Sequence, residues 1–139
     1  MPTPTEIIDK MMAHDPFSQW LGVVRLGESQ GYCQLQMTVR KEMLNGFGVV
    51  HGGITFAFAD SCFAFASNSQ GRHAVSIETS ISHTRPAHEG DTLIATANEE
   101  NLGHKTAIYT IKVENKATQK LIALFKGTVF RHDQQWILG

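Results

Sequence analysis

The sequence predicts an α+β fold: one curved antiparallel β-sheet wrapped around one long central helix, with a short N-terminal helix ahead of it. Three observations carry that expectation. Residues 53 to 70 are apolar on nearly every side, so a helix there must be enclosed by the rest of the chain. The segments around it alternate apolar and polar residues with the period of half-buried strands. The turns between the last strands are hairpin-length, which makes those strands antiparallel neighbours.

The elements follow in order. Thr3-Pro4-Thr5-Glu6 is a capping box with proline at the first helical position. That helix should stop by His14-Asp15-Pro16, because Pro16 disfavours helical dihedrals at Asp15. Residues 21–26 and 32–39 read as strands joined by a turn at Glu28-Ser29-Gln30-Gly31. In the second, Cys33, Leu35, Met37 and Val39 alternate with Tyr32, Gln34, Gln36 and Thr38. The helix of residues 53–70 comes next, too short to span a bilayer, with Gly71 placed as its C-cap. Strands are then expected over 74–84, 91–100, 105–115 and 120–131. In the first of these, Val75, Ile77, Thr79 and Ile81 should share one face. Such a sheet leaves an edge open, which favours pairing with a second copy.

Composition narrows the function classes. The 139 residues read as one domain over 1–139, with 42% hydrophobic and 18% charged residues, ordinary for a soluble globular protein. A formal charge of -1 argues against the basic face of a nucleic-acid-binding protein. Cys33 and Cys62 form no CxxC pair, and the N-terminus lacks the pattern of a signal peptide, so the cytoplasm is the expected location. No segment is long enough to cross a membrane. The seven histidines contain no HExxH, and no metal or other cofactor is expected.

Asp60 is the odd residue in the central helix. Its neighbours at three and four residues are Phe56, Ala57, Phe63 and Ala64, none of which can balance its charge. Desolvation in such surroundings makes a carboxylate a better base or nucleophile. The plainer alternative is a spot on the helix that faces an interface. Ala57 and Ala64 leave room beside it for a ligand. Cys62 falls on another face and reads as core. His51-Gly52-Gly53 starts the helix, where backbone N–H groups are unpaired and glycine lets a ligand oxygen approach. That makes an oxyanion hole, or only a tight turn. Asn45-Gly46 alone reads as a turn, and His51 alone as a capping residue.

Spacing then decides something. Gly52 and Asp60 lie eight residues apart, about 12 Å along one helix. An oxyanion donor and an attacking group must both come within about 3 Å of one carbonyl. If both are catalytic they come from different chains, which predicts a two-fold dimer with sites at its interface.

The stretch "LNGFGVVHGGITFAFAD", with "NSQG" and "HTRPAHEGDTL" after it, resembles the hotdog-fold thioesterases, and within them the PaaI family of phenylacetate degradation. The resemblance implies a long antiparallel sheet around a central helix. It implies homodimers with shared active sites, or dimers of dimers, and hydrolysis of acyl-CoA thioesters, aryl-acyl ones included. By position, Asp60 matches the catalytic acid and Gly52 the amide that polarises the thioester carbonyl. Asn45 matches the residue that orients the carbonyl or water, and His51 the histidine beside the hole. A strand serine of some relatives falls at Ser76. Gly53, Phe56 and Ala64 are expected near the acyl group, and Arg85 and Lys105 are candidates to meet the coenzyme A phosphates. Asp60 would act either as nucleophile or as general base. Two other readings fit the residues less well. A hotdog dehydratase or hydratase would carry an "HFPG"-type loop, which "HGGI" lacks. A non-catalytic acyl-CoA-binding module is expected to lose the acid, which is present.

Overall fold

The structure, a computed structural model, describes residues 1–138. Its first helix, α1 (Pro4–Ala13), opens on the expected capping box. The Thr3 hydroxyl accepts from the Glu6 N–H at 3.2 Å, and the Glu6 carboxylate accepts from the Thr3 N–H at 2.9 Å. The chain does not then pass straight into a strand. Asp15 caps a second helix, α2 (Pro16–Leu21), accepting from the Ser18 N–H at 2.9 Å. Pro16 stops the first helix, but its fixed φ also suits the first position of the next. The first strand accordingly begins at Val24 and not at Leu21, which is buried on α2.

Strands β1 (Val24–Ser29) and β2 (Tyr32–Thr38) meet in a two-residue turn at Gln30-Gly31. Gly31 has φ 74°, and a Cβ there would stand 2.7 Å from the Glu99 carboxylate, so only glycine fits. Cys33, Leu35, Met37 and Val39 are all buried, as their alternation predicts. A loop with a short 3₁₀ turn (Lys41–Met43) leads to the central helix, α3 (Gly52–Asn68). Phe58, Cys62, Phe63 and Phe65 lie buried on it, and the Cys62 thiol donates to the Cys33 carbonyl at 3.2 Å. The helix ends at Asn68 with Ser69 as its C-cap in right-handed conformation. Gly71, at φ 111°, sits two residues further on, so it redirects the chain instead of capping the helix.

Strands β3 (Arg72–His83), β4 (Thr92–Leu102), β5 (Thr106–Asn115) and β6 (Leu121–Gln135) complete a six-stranded antiparallel sheet. The order is β1-β2-β4-β5-β6-β3, so β3 is an edge. The sheet curls round α3, which touches β2, β3, β4, β5 and β6. β6 runs past residue 131 because Gln135 still pairs with Arg72.

β3 departs from strict alternation. A bulge at Ile77 shifts its register against β6 between Ser76 and Glu78. Ala74 and Ile81 both pack on the core although their positions differ by an odd number. Val75 and Ile77 are instead 48% and 58% exposed. The expected common face of Val75, Ile77, Thr79 and Ile81 is broken, since one extra residue turns the strand over.

Three aromatic rings pack together where α3 meets β5 and β6. The Phe63 ring packs 5.9 Å from Tyr109 and 5.5 Å from Phe125, centre to centre. It also lies against Gly127, where a Cβ would stand 2.6 Å from Phe63 Cζ. Gly127→Ala should therefore destabilise the fold by about 1–3 kcal/mol, the usual result of overfilling a packed core. A lowered midpoint in urea unfolding would report it.

Candidate active site

The N-terminus of α3 leaves one backbone donor open. His51 is the N-cap, and its Nδ1 accepts from the Gly53 N–H at 2.8 Å. The N–H groups of Ile54 and Thr55 both go to the His51 carbonyl, at 2.9 and 3.3 Å. Only the Gly52 N–H of this first turn finds no acceptor among the described residues. Gly52, at the positive end of the helix dipole, lines a groove of about 400 Å³ together with Asn45, Thr55, His83 and Arg85, among others. The His83 ring lies over Gly52, so close that a Cβ there would stand 3.3 Å from His83 Cε1.

The side chains around that groove are mostly donors. The Asn45 carboxamide oxygen accepts from the N–H groups of Phe47 and Val49 at 2.9 and 3.3 Å, which leaves its NH₂ to donate. Arg85 gives one guanidinium N–H to the Leu121 carbonyl at 2.9 Å and keeps others. The Thr55 hydroxyl is buried and has no partner among the described residues. Such a set suits an oxygen bearing negative charge.

Asp60 lies in a second groove of about 410 Å³ between α3 and β3, which also includes Phe63, Ala64, Ser76, His73 and Trp136. No residue lines both grooves. Asp60 is half-buried, on the one stripe of α3 that the sheet does not cover, with Ala57 and Ala64 above and below it. Its pKa is raised above the usual carboxylate value, first by burial and second by the neighbouring Asp15. Asp15 is itself held in place, since the Ser18 hydroxyl donates to it at 2.6 Å and lies 2.8 Å from the Ser61 hydroxyl.

A curled antiparallel sheet around one buried helix, with a free helix-terminal amide and a desolvated carboxylate on the same helix, is a specific combination. The thioesterase superfamily model matches residues 47–122 of this sequence, which take in both Gly52 and Asp60. The chain belongs to the thioesterase superfamily. It is 40% identical over 121 residues to acyl-coenzyme A thioesterase PaaI of Escherichia coli, covering 87% of this chain and 86% of that one. It is 32% identical over 126 residues to human acyl-coenzyme A thioesterase 13, covering 88% and 90%. The structure of the E. coli PaaI protein from the phenylacetic acid degradation operon superposes with a TM-score of 0.92 at 37% identity, over 95% of each chain. The fold is therefore the hotdog fold of that family.

Within this thioesterase the residues singled out from sequence divide into three groups. Asn45, Gly52 and Arg85 share the first groove, and Asp60, Ala64 and Ser76 share the second. The rest fall outside both. His51 commits its Nδ1 to the helix cap, and Gly53, expected at the substrate, has its N–H taken by that cap. A Cβ at Gly53 would stand 3.0 Å from His51 Nδ1, so this glycine makes room for the cap. Phe56 turns into the core, its ring 5.3 Å from Phe125. Lys105 sits exposed between β4 and β5, its carbonyl accepting from Arg131 N–H. His83, Thr55, Asp15 and Trp136 escaped the sequence reading. His83 had a signal, being two residues beyond the core-facing Ile81. Trp136 had none, because it lies past the expected end of the last strand.

No helix among the described residues is long and apolar enough to cross a membrane. Nor do those residues bring three or more His, Cys, Asp or Glu side chains together as a metal site.

The raised pKa of Asp60 has a consequence for stability. A carboxyl raised on folding penalises the fold where it is ionised, above its folded pKa, and the penalty fades as pH falls to the ordinary carboxylate value. Asp60→Asn should thus raise the melting temperature by a few degrees at about pH 7, with the gain vanishing near about pH 4. Thermal melts across that range would measure it. Asp15→Asn, which preserves the helix cap, should shift the ionisation of Asp60 to lower pH, readable in the acid limb of a pH–rate profile.

Proposed function

We propose that this thioesterase hydrolyses acyl-CoA thioesters, aryl-acyl ones such as phenylacetyl- or hydroxyphenylacetyl-CoA among them, to the free acid and coenzyme A at sites shared by two subunits. One observation carries the reading. The unpaired Gly52 N–H and the uncompensated Asp60 occupy separate grooves, eight residues apart on one helix, about 12 Å. Neither groove pairs the free helix-terminal amide with the carboxylate. Two chains together supply both.

The free edge of β3 supports that pairing. Val75 and Ile77 are exposed on it, and Ala57 and Ala64 keep the open stripe of α3 low enough for a second helix. Antiparallel pairing of two β3 edges about an axis beside Thr79 and Ser80 would set Ser76 opposite the partner's His83. That brings the Asp60 groove of one subunit to the Gly52 groove of the other. Leu124 and Phe130, exposed on β6, offer an apolar surface on which two dimers could form a tetramer. Unpaired, buried Cys33 and Cys62 fit a reducing compartment such as the cytoplasm.

In this site the thioester carbonyl oxygen accepts from the Gly52 N–H, with the Asn45 NH₂ beside it. Negative charge growing on that oxygen meets the positive end of α3. Asp60 of the partner acts in one of two ways. As nucleophile, its carboxylate attacks the carbonyl carbon, the C–S bond breaks, and water later hydrolyses the mixed anhydride. As general base, it takes a proton from a water that attacks directly. Either way the departing thiolate gains a proton and leaves as coenzyme A. Burial and Asp15 serve both routes by making Asp60 more basic. Arg85 has guanidinium N–H groups left for a coenzyme A phosphate.

Asp60→Asn should lower kcat for thiol release by about a hundredfold or more, with substrate binding largely kept. Full turnover in that variant would sink the assignment. Subunit sharing has its own test. Gly52→Val, which crowds His83, should be inactive as well. Unfolding and refolding the two inactive variants together should restore about a quarter of wild-type activity, because half the dimers are mixed and each mixed dimer has one intact site. No recovery would mean that each site is built within one chain. Single turnover in ¹⁸O-water tests the nucleophilic route, since label appears on Asp60 only when water attacks the Asp60 carbonyl of the mixed anhydride.

A further inference from the structure

The groove that holds Asp60 follows α3 toward Asn68, and there a residue from the far end of the chain meets it. Trp136 lies just beyond β6, outside the part of the sequence that matches the superfamily. Three contacts hold it. Its backbone N–H donates to the Gly71 carbonyl at 2.9 Å, and its indole N–H donates to the Asn68 carboxamide oxygen at 3.0 Å. Its ring stacks on His73 with centres 4.3 Å apart and planes 30° from parallel. The next residue is tied down too, the Ile137 carbonyl accepting from Lys10 Nζ at 2.9 Å.

Asn68 makes this corner rigid. It is 4% exposed, and all its polar capacity is used. Its oxygen accepts from the Ala74 N–H as well as from Trp136, and its NH₂ donates to the carbonyls of Ala64 and Ala74 at 2.9 and 3.1 Å. One buried side chain thus joins the end of α3, the start of β3 and the indole. Between Asp60 and this corner the groove is lined mainly by apolar groups, Phe63, Ala64, Val75 and Val129 among them. Asp60 and Asn68 are eight residues apart on α3, about 12 Å of helix. A satisfied indole N–H has no donor left for a substrate, so Trp136 presents only a flat apolar surface.

We propose that Trp136, braced by Asn68 and stacked on His73, ends the acyl groove and is the residue that limits the length of the acyl group. The limit admits an aromatic ring on a short linker, or a short straight chain, and turns away long fatty acyl chains. This inference rests on the thioesterase reading above, because it takes Asp60 as the point where the carbonyl lies. The groove is apolar and the carbonyl end is fixed by the Gly52 N–H, so what remains free to vary is how far the acyl group extends. A rigid wall converts excess length into steric clash, which a packed protein interior cannot absorb cheaply.

The test is a thiol-release profile over acetyl-, hexanoyl-, phenylacetyl-, dodecanoyl- and palmitoyl-CoA for the wild type, Trp136→Ala and Trp136→Phe. The wild type should favour the compact substrates. Trp136→Ala should raise the ratio of kcat/KM for dodecanoyl- over phenylacetyl-CoA by about tenfold or more. Trp136→Phe, which keeps a ring against His73, should stay close to the wild-type profile. Unchanged ratios in a folded Trp136→Ala protein would overturn the proposal, as would a wild type that prefers palmitoyl-CoA. If Trp136→Ala does not fold, His73→Ala removes the other half of the stack and should move the ratio the same way. Failure of hydrolysis is a separate outcome. Should no substrate release thiol, calorimetric titration of the same panel into Asp60→Asn, with and without Trp136→Ala, still reads the wall. A chain-length preference in binding that Trp136→Ala relaxes would keep the proposal, and one that it leaves unmoved would end it.

Discussion

The enclosure of α3 by five strands is the constraint on which the rest depends. A helix wrapped this completely can show only its N-terminus and one narrow stripe to anything outside the sheet. Gly52 stands at the end, and Asp60 stands on the stripe between two alanines. A compensating Lys or Arg on the stripe would need the volume that Ala57 and Ala64 leave open. The carboxylate is therefore left with burial and a like-charged neighbour, and both push its pKa upward. The same helix separates amide from acid by the length of about two turns, so in a single chain they line two different grooves.

Around the helix N-terminus, local irregularities remove competing donors and acceptors. His51 takes the Gly53 N–H, and the His51 carbonyl takes those of Ile54 and Thr55. Asn45 commits its oxygen to its own loop and keeps only its NH₂ free. The bulge at Ile77 lets Ser76 face the Asp60 groove while His83, an odd number of residues away, faces Gly52. An unbulged β3 would turn one of them outward. The two glycines serve different neighbours as well. One makes room for the His51 cap, the other for the His83 ring.

Much of this was legible in sequence, and the reasons differ by residue. The α1 capping box, the apolar helix and the alternation of β2 are local patterns, and local patterns survive folding. The desolvation of Asp60 could be read from its helical neighbours, because those lie three and four residues away whatever the rest of the chain does. The second short helix was missed because Pro16 carries two opposite messages, ending one helix and starting another. The face of β3 was misread because a bulge has no fixed sequence signature. Phe56 could not be told from a pocket residue, since a half-buried aromatic looks the same whether it meets ligand or Phe125.

By itself the sequence determined the secondary-structure order, the enclosed helix, the isolation of Asp60 and its distance from Gly52. All of these depend on neighbours within a few positions or on helical rise alone. Only the tertiary structure decided that Asp15 stands beside Asp60 and that Trp136 lies beside Asn68. Those meetings join residues forty-five and sixty-eight positions apart. The first depends on how α2 packs against α3, and the second on where the end of β6 meets the end of α3. Neither is written in periodicity, because each is set by packing among segments that touch only once the chain has folded.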